Sequence, residues 1–365
     1  MIKKLQVTAG SLAFCILLGA CSSPNVVTGK PVDAAGSISL NGSGSTFVQP
    51  LFEDLAFAYS QLDKSVVINY AGGGSGQGKT DIIKGTVDFA GSDSALTDAE
   101  AASKQLIQMP SVAGAVVAIY NIPDVTQTIV LDLQTLGDVY TGKIEKWSDP
   151  AIANLNPKIV FPDLAINVVH RADGSGTTSI FTTYLCSANS GWKAAVNPCK
   201  GTTVEWPVDK LKRGQGGRGN QGVAAAVQKT NGAIGYVELA YAKNNGISYA
   251  QMMNAANKLV DATVASTTAA TVGAQFSERN ASDIVNSSSP EAWPISGFTY
   301  LIFARDFTDC KKAGKLQEWA NWSLTDPAAI ARASKLLYSP LGVDSNARAL
   351  AALKTLTCNG LPIKT

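Results

Sequence analysis

The chain has 365 residues, 16% of them charged and 45% hydrophobic, and 30 Lys+Arg against 28 Asp+Glu leave a formal charge of +2. This excludes disorder as the dominant state and excludes nucleic-acid binding driven by bulk charge, while leaving length for one large or two ordinary domains. The single histidine, His170, excludes multi-histidine metal sites and makes a Ser-His-Asp hydrolase hard to build.

At the start of the chain, Lys3 and Lys4 precede an apolar run from Leu12 to Leu18. The run is too short to span a membrane and suits the core of an export signal. Leu18-Gly19-Ala20-Cys21 follows and resembles the bacterial lipoprotein cleavage site, where the cysteine becomes the lipidated first residue. A lipoprotein signal peptide is therefore expected over 1–20, with lipidation at Cys21. Plain secretion with cleavage after Ala20 is the alternative, and both export the protein. Loss of Lys3 and Lys4 takes the charge from +2 to about zero, so the anchor alone, without electrostatic help, would hold the chain to a membrane. Residues 21–37 are small and polar, carry Pro24 and Pro31, and read as a flexible tether.

The body alternates β-rich apolar runs with helical stretches. Ser39-Leu40 leads into a Gly/Ser turn and then a helix from about Thr46 to Ser60, with Pro50 in its first turn. Val66–Tyr70 is a strand, and a Gly-rich turn at 72–78 opens a helix through Ile83. Val87–Ala90 is a short strand, after which Thr97 and Glu100 form a capping box. Ala113–Tyr120 and Ile166–His170 are strands. Gly174–Thr178 opens a helix toward Leu185, and Ala233–Val237 is a further strand. Residues 261–289, rich in Ala, Thr and Ser, read as surface structure. The alternation predicts an α/β fold with largely parallel sheets, in two lobes.

Export also sets the cysteine arithmetic. Cys15 leaves with the signal and Cys21 takes the lipid. Cys186, Cys199, Cys310 and Cys358 remain, and four cysteines allow three pairings. Cys186–Cys199 and Cys310–Cys358 are favoured because each pair lies within one segment and closes a modest loop. An oxidising compartment favours disulfides over free thiols. Without a Cys-x-x-Cys pair, a thiolate metal site is disfavoured, and no metal or other cofactor is expected.

Four turns carry the chemistry: Gly42–Phe47, Gly72–Gly78, Ser92–Ser94 and Arg171–Thr177. Each follows a short strand and leads to a helix. Glycines let the backbone turn tightly and approach a ligand. Free N–H groups at a helix start favour an anion, and Ser and Thr hydroxyls add donors. Any one of these turns could be a plain helix cap; the four together point to an oxyanion held by hydrogen bonds.

One motif competes. Gly73-Gly74-Ser75-Gly76-Gln77-Gly78-Lys79-Thr80 fits the P-loop pattern, which alone would place Lys79 on nucleotide phosphates and Thr80 on magnesium. Export removes the chain from cytosolic ATP, and no convincing second strand ends in the acidic residue that magnesium needs. Arg171 and Asp93 are the charged members of the four turns. Arg171 can give an oxyanion a bidentate contact. Asp93 repels a bare anion, yet accepts a hydrogen bond from an anion that carries a proton, and so selects for one. Asp173 caps its turn and orients Arg171. His170 is structural or exposed at its strand end.

Together the turns resemble the phosphate-binding proteins of phosphate-specific ABC importers. The likeness rests on GSGSTF (42–47), TVDFAGSD (86–93), LGDVYTGKIEKW (136–147), RADGSGT (171–177), GGRGNQG (216–222) and AIGYVELAYA (233–242), and returns around 291–295. The resemblance implies a two-lobed periplasmic-binding-protein fold of type II, each lobe a mostly parallel sheet flanked by helices, with hinge crossovers. Lobe I would comprise 38–115 and 296–365, and lobe II 116–295. It implies inorganic phosphate bound by Thr46, Phe47, Ser75, Arg171, Ser175, Gly176 and Thr177, with Asp93 accepting the phosphate proton and so rejecting sulfate. It implies no catalysis, delivery to an ABC permease and its ATPase, and a monomer in the periplasm or on the outer cell surface. A phosphate sensor or adhesin on the same fold is the rival use of such a site. Lys79 and Gly76 depart from the family's usual residues.

Overall fold

A computed structural model describes residues Gly36–Ile363. The signal expected over 1–20, the anchor Cys21 and nearly all of the tether 21–37 lie outside those residues. Eight strands form one sheet: β1 (Ile38–Gly44), β2 (Val66–Gly72), β3 (Phe89–Ser92), β4 (Leu106–Asn121), β5 (Asn167–Arg171), β6 (Gly214–Gly217), β7 (Ala233–Glu238) and β8 (Ser296–Ala304), in the order β2-β1-β3-β8-β4-β7-β5-β6. The expected parallel pairs are at the two flanks, β2-β1-β3 and β7-β5-β6. The centre is antiparallel, which the alternation of elements does not reveal. There β8 runs antiparallel to both β3 and β4, and β4 antiparallel to β7.

β4 is the strand shared by both flanks. Its first part, Leu106–Ala115, pairs with β8, and its second part, Val116–Asn121, pairs with β7. The sequence suggested a strand only from Ala113, yet the strand continues back through Pro110, a residue that is unfavourable in a central strand. The structure accommodates Pro110 at a bulge: Tyr300 faces Pro110 and Thr299 faces Val112, so Ser111 is the extra residue. β4 and β7 are buried almost throughout, as strands covered on both faces must be.

Helices flank the sheet. α1 (Gln49–Leu62) begins three residues later than Thr46, with Pro50 in its first turn, so Thr46 and Phe47 belong to the preceding loop. α2 (Ser75–Lys84) follows β2, and α3 (Asp98–Ser103) starts at the capping box of Thr97 and Glu100. α4 (Gly176–Ala188) follows β5, α5 (Gly219–Lys229) follows β6, and α6 (Leu239–Asn244) follows β7. The chain then returns through β8 to α7 (Cys310–Thr325), whose Trp319 packs 5.8 Å from Phe52 and 5.1 Å from Phe89, ring centroid to centroid. Burial of such aromatic pairs fixes the C-terminal segment against β1–β3.

Both disulfides favoured by the sequence are present. Their Cα separations of 5.6 Å for Cys186–Cys199 and 5.4 Å for Cys310–Cys358 fall in the ordinary range. Residues 261–289 are more than surface structure. A helix over Val264–Thr271 buries Thr267 and Ala270, and the Ser282 amide bonds the Tyr300 hydroxyl at 3.0 Å.

Candidate functional site

The four turns converge where β1, β2, β3 and β5 end. At the end of β1, Gly44 has φ +131°, and any side chain there would run into the Gly91 carbonyl. Its own carbonyl accepts the Gly73 and Gly74 amides at 3.0 and 2.8 Å, which joins the first turn to the second. Ser45, Thr46 and Phe47 then cross the site in the open chain before α1. Ser75 is the first residue of α2 and is fully buried; its hydroxyl oxygen accepts the Asp93 amide at 3.2 Å.

Asp93 is 5% exposed and is the centre of the arrangement. It accepts the Ser45 hydroxyl at 2.5 Å on one oxygen and the Thr299 hydroxyl at 2.7 Å on the other, with Ser75 Oγ 3.5 Å away. Burial pushes its carboxyl up to about 6, against the pull of those hydroxyls and the Arg171 charge.

From the other flank, Arg171 ends β5, also 5% exposed. Its Nε donates to Asp173 at 2.8 Å, a second nitrogen completes the fork on the same carboxylate, and Nη1 donates to Thr177 Oγ1 at 3.2 Å. Asp173 also accepts the Gly219 amide at 3.0 Å, so it holds Arg171 as the sequence suggested. The guanidinium beside it, with the Gly219 amide, holds the Asp173 carboxyl below its usual value despite burial. Ser175 caps α4: its hydroxyl oxygen accepts the Thr178 amide at 3.0 Å, and its own amide donates to Thr202 O at 2.9 Å. Gly176 and Thr177 are the first residues of α4, where helix amides lack internal partners. Gly176 is in van der Waals range of the Asp93 group, since a Cβ on it would come within 2.5 Å of Asp93 Oδ2.

All eight predicted site residues are therefore brought together. Direct contacts also close the two flanks on one another. Gly76 N donates to Gly174 O at 2.9 Å. Asn220 donates to Thr46 Oγ1 from its amide at 3.1 Å and from its side chain at 2.8 Å. Beside Asp93, a cavity of about 370 Å³ is lined by Ser94, Ser179, Thr183, Ser282 and Tyr300.

The sequence reading missed Ser45, Asn220 and Thr299. Ser45 stands inside the first turn and Asn220 inside GGRGNQG, so both were within segments already singled out. Thr299 sits in β8, which has no turn signal of its own. Lys79 is resolved as structural. It is 6% exposed and donates to Ala95 O at 2.7 Å and Glu100 Oε2 at 3.2 Å, while Thr80 donates back to Gly76 O at 2.9 Å. Neither P-loop group faces the cage. His170 is buried, 2.8 Å from Asp209 and stacked on Trp206, and is structural.

Among the described residues, no group of three or more His, Cys, Asp or Glu side chains could hold a metal ion, and no helix is long and apolar enough to cross a membrane. What remains is a desolvated cage of neutral donors, with one Arg whose charge is matched by Asp173 and one buried carboxylate as acceptor. Such a cage suits a small oxyanion that still carries a proton.

A profile described as the PBP superfamily domain matches residues 29–327. The phosphate-binding protein PstS of Xylella fastidiosa (strain 9a5c) is 36% identical over 88% of this chain and 87% of its own length. The phosphate-binding protein PstS of Methanocaldococcus jannaschii is 32% identical over 88% of each. A solved structure of a human phosphate-binding apolipoprotein shares the fold, with a TM-score of 0.69 at 24% identity, covering 86% of this chain and 93% of that one.

Proposed function

This chain belongs to the PBP superfamily and, within it, to the family of PstS-like phosphate-binding proteins, and from that premise we propose that it binds inorganic phosphate in its cleft and delivers it to an ABC permease for import. It acts as a binding protein, without catalysis. The observation that carries this reading is the buried Asp93 carboxylate, set among the hydroxyls of Ser45, Ser75 and Thr299 and facing the first turn of α4. Hydrogen phosphate offers acceptor oxygens to the Phe47, Gly176 and Thr177 amides, to the Thr46, Ser75, Ser175 and Thr177 hydroxyls, and to Arg171. It also offers one P–O–H that an ionised Asp93 accepts. Sulfate has no such proton at neutral pH and meets only repulsion.

In this account lobe I is 38–115 with 296–365, and lobe II is 116–295. The exchange of partners along β4 at Ala115/Val116, and the return of the chain into β8 at Ser296, support those hinge positions. Thr46, Phe47, Ser75 and Asp93 then form one half-site, and Arg171, Ser175, Gly176 and Thr177 the other. Hinge closure makes the water-excluding cage. Lipidation at Cys21 would hold the chain as a monomer at the periplasmic or outer face of a membrane. The P-loop reading loses support because Lys79 is bound by Ala95 and Glu100. Radiolabelled phosphate uptake tests the proposal: cells lacking the chain should lose uptake at low phosphate and regain it on complementation. Unchanged uptake would contradict it.

A further inference from the structure

Three consecutive carbonyls in the first turn are each held by a different tyrosine. Tyr70 of β2 donates its hydroxyl to Ser45 O at 3.0 Å. Tyr241 of α6 donates to Thr46 O at 2.6 Å. Tyr338, in the C-terminal segment, donates to Phe47 O at 2.6 Å. These three residues are far apart in sequence, and the segment they hold has no regular structure of its own.

A trans peptide is planar, with its C=O and N–H directed oppositely. Among the described residues the only cis bond is Asn197–Pro198. Each tyrosine hydroxyl therefore fixes the next residue's N–H to point away from it: Tyr70 fixes Thr46, Tyr241 fixes Phe47 and Tyr338 fixes Val48. The Phe47 amide points to Ser45 Oγ at 3.0 Å, and that oxygen lies 2.5 Å from Asp93, so this amide faces the cage. The Thr46 and Val48 amides have no partner among the described residues.

We propose that Tyr70, Tyr241 and Tyr338 are positioning residues for the anion site, which aim the Thr46, Phe47 and Val48 amides by pinning the three carbonyls behind them. The inference rests on the phosphate-binding reading. It extends that reading to residues that do not touch the ligand. The hydroxyls are suited to the task because burial pushes all three well above the usual tyrosine value, so each keeps its proton to donate. Tyr338 has one competitor: Glu238 Oε2 is 3.4 Å from its hydroxyl. Burial holds Glu238 toward its neutral form, which leaves the tyrosine proton on the shorter bond to Phe47 O. Tyr241 adds a coupling to closure. It is carried on α6, next to β7, and reaches across to a carbonyl beside β1. The Phe47 amide is thus fully aimed only when the two flanks are together.

The test replaces each hydroxyl in the full chain by Tyr70→Phe, Tyr241→Phe and Tyr338→Phe, and follows phosphate affinity and backbone amide NMR shifts. Removing one such hydrogen bond and leaving a buried carbonyl unpaired should weaken phosphate binding about tenfold. Each variant should also shift one amide most: Thr46 for Tyr70→Phe, Phe47 for Tyr241→Phe and Val48 for Tyr338→Phe. The Gly176 and Thr177 amides should keep their phosphate-induced shifts. Should Tyr338→Phe fail to fold, the other two carry the test. Affinities within about twofold of the parent, or shifts with no tyrosine-to-amide correspondence, overturn the proposal. If the parent protein itself fails to bind phosphate, the functional reading falls. The correspondence for Tyr70→Phe and Tyr338→Phe, whose contacts lie within one lobe, read without ligand then decides the positioning role separately.

Discussion

Substituting Gly176 by alanine isolates the closeness of the two half-sites. The added methyl carbon would lie 2.5 Å from Asp93 Oδ2 and 2.6 Å from Asp93 Cβ, and closer still to Ser75 Oγ. Carbon contacts are comfortable near about 3.5–4.0 Å, so the methyl falls short by about 1 Å. Ser75 and Asp93 are short, buried side chains with little room to give. Overpacking of this kind costs about 1–3 kcal/mol. At about 1.4 kcal/mol per factor of ten, that is about 5- to 150-fold in the phosphate dissociation constant. Under the proposed hinge closure the ligand-free protein would escape the clash by opening its cleft, and alanine is the better helix former at the first position of α4. Calorimetric titration and thermal melting without ligand read the two effects apart. The expected result is weakened phosphate binding with the ligand-free melting temperature preserved. An unchanged affinity would refute the close approach of α4 to Asp93, and an equal loss of ligand-free stability would refute its link to closure.

Asp93→Asn should weaken discrimination against sulfate, read as the ratio of the two dissociation constants; an unchanged ratio contradicts the proton-acceptor role. The same variant has a pH signature. Asp93 ionises at 3.8 when unfolded and at about 6 when buried, so its folded form is fully favoured below 3.8. That advantage disappears as pH rises through about 6. Relative to the parent, the ligand-free Asn variant should therefore gain up to about 3 kcal/mol between about pH 4 and pH 7, and pH-dependent melting that stays parallel to the parent's speaks against it. Glu238→Gln should leave stability near neutral pH within about 1 kcal/mol, because burial already keeps this carboxyl toward its neutral form; a collapse of the fold on urea titration would show the charge is needed. Cys21→Ser should move the protein from the membrane fraction to the soluble one, and a variant that still sediments with membranes disproves the anchor.

The grouping of the candidate site's residues was legible because its demands are local. Gly44 and Gly176 are needed for a turn and a close approach, Ser175 for a cap, and Arg171 and Asp173 for a pair two residues apart. The capping box of Thr97 and Glu100 was legible for the same reason. Thr299 and the three tyrosines were hidden. Each meets the site through strand pairing or helix packing across a long sequence separation, and a strand or helix residue carries no sign of which loop it will touch. The antiparallel centre of the sheet was hidden likewise, since the order of elements does not say that β8 inserts between β3 and β4. Lys79 misled in the other direction. A short Gly-rich pattern matched a nucleotide motif, while the actual partners of the lysine are Ala95, just before α3, and Glu100, in its first turn.

Titration calorimetry of the purified chain, stripped of bound ligand, against phosphate, sulfate and Mg-ATP tests the central claim most directly. The account predicts tight one-to-one binding of phosphate and no heat from sulfate or from Mg-ATP. Binding of Mg-ATP without phosphate would contradict it, as would phosphate and sulfate bound equally well.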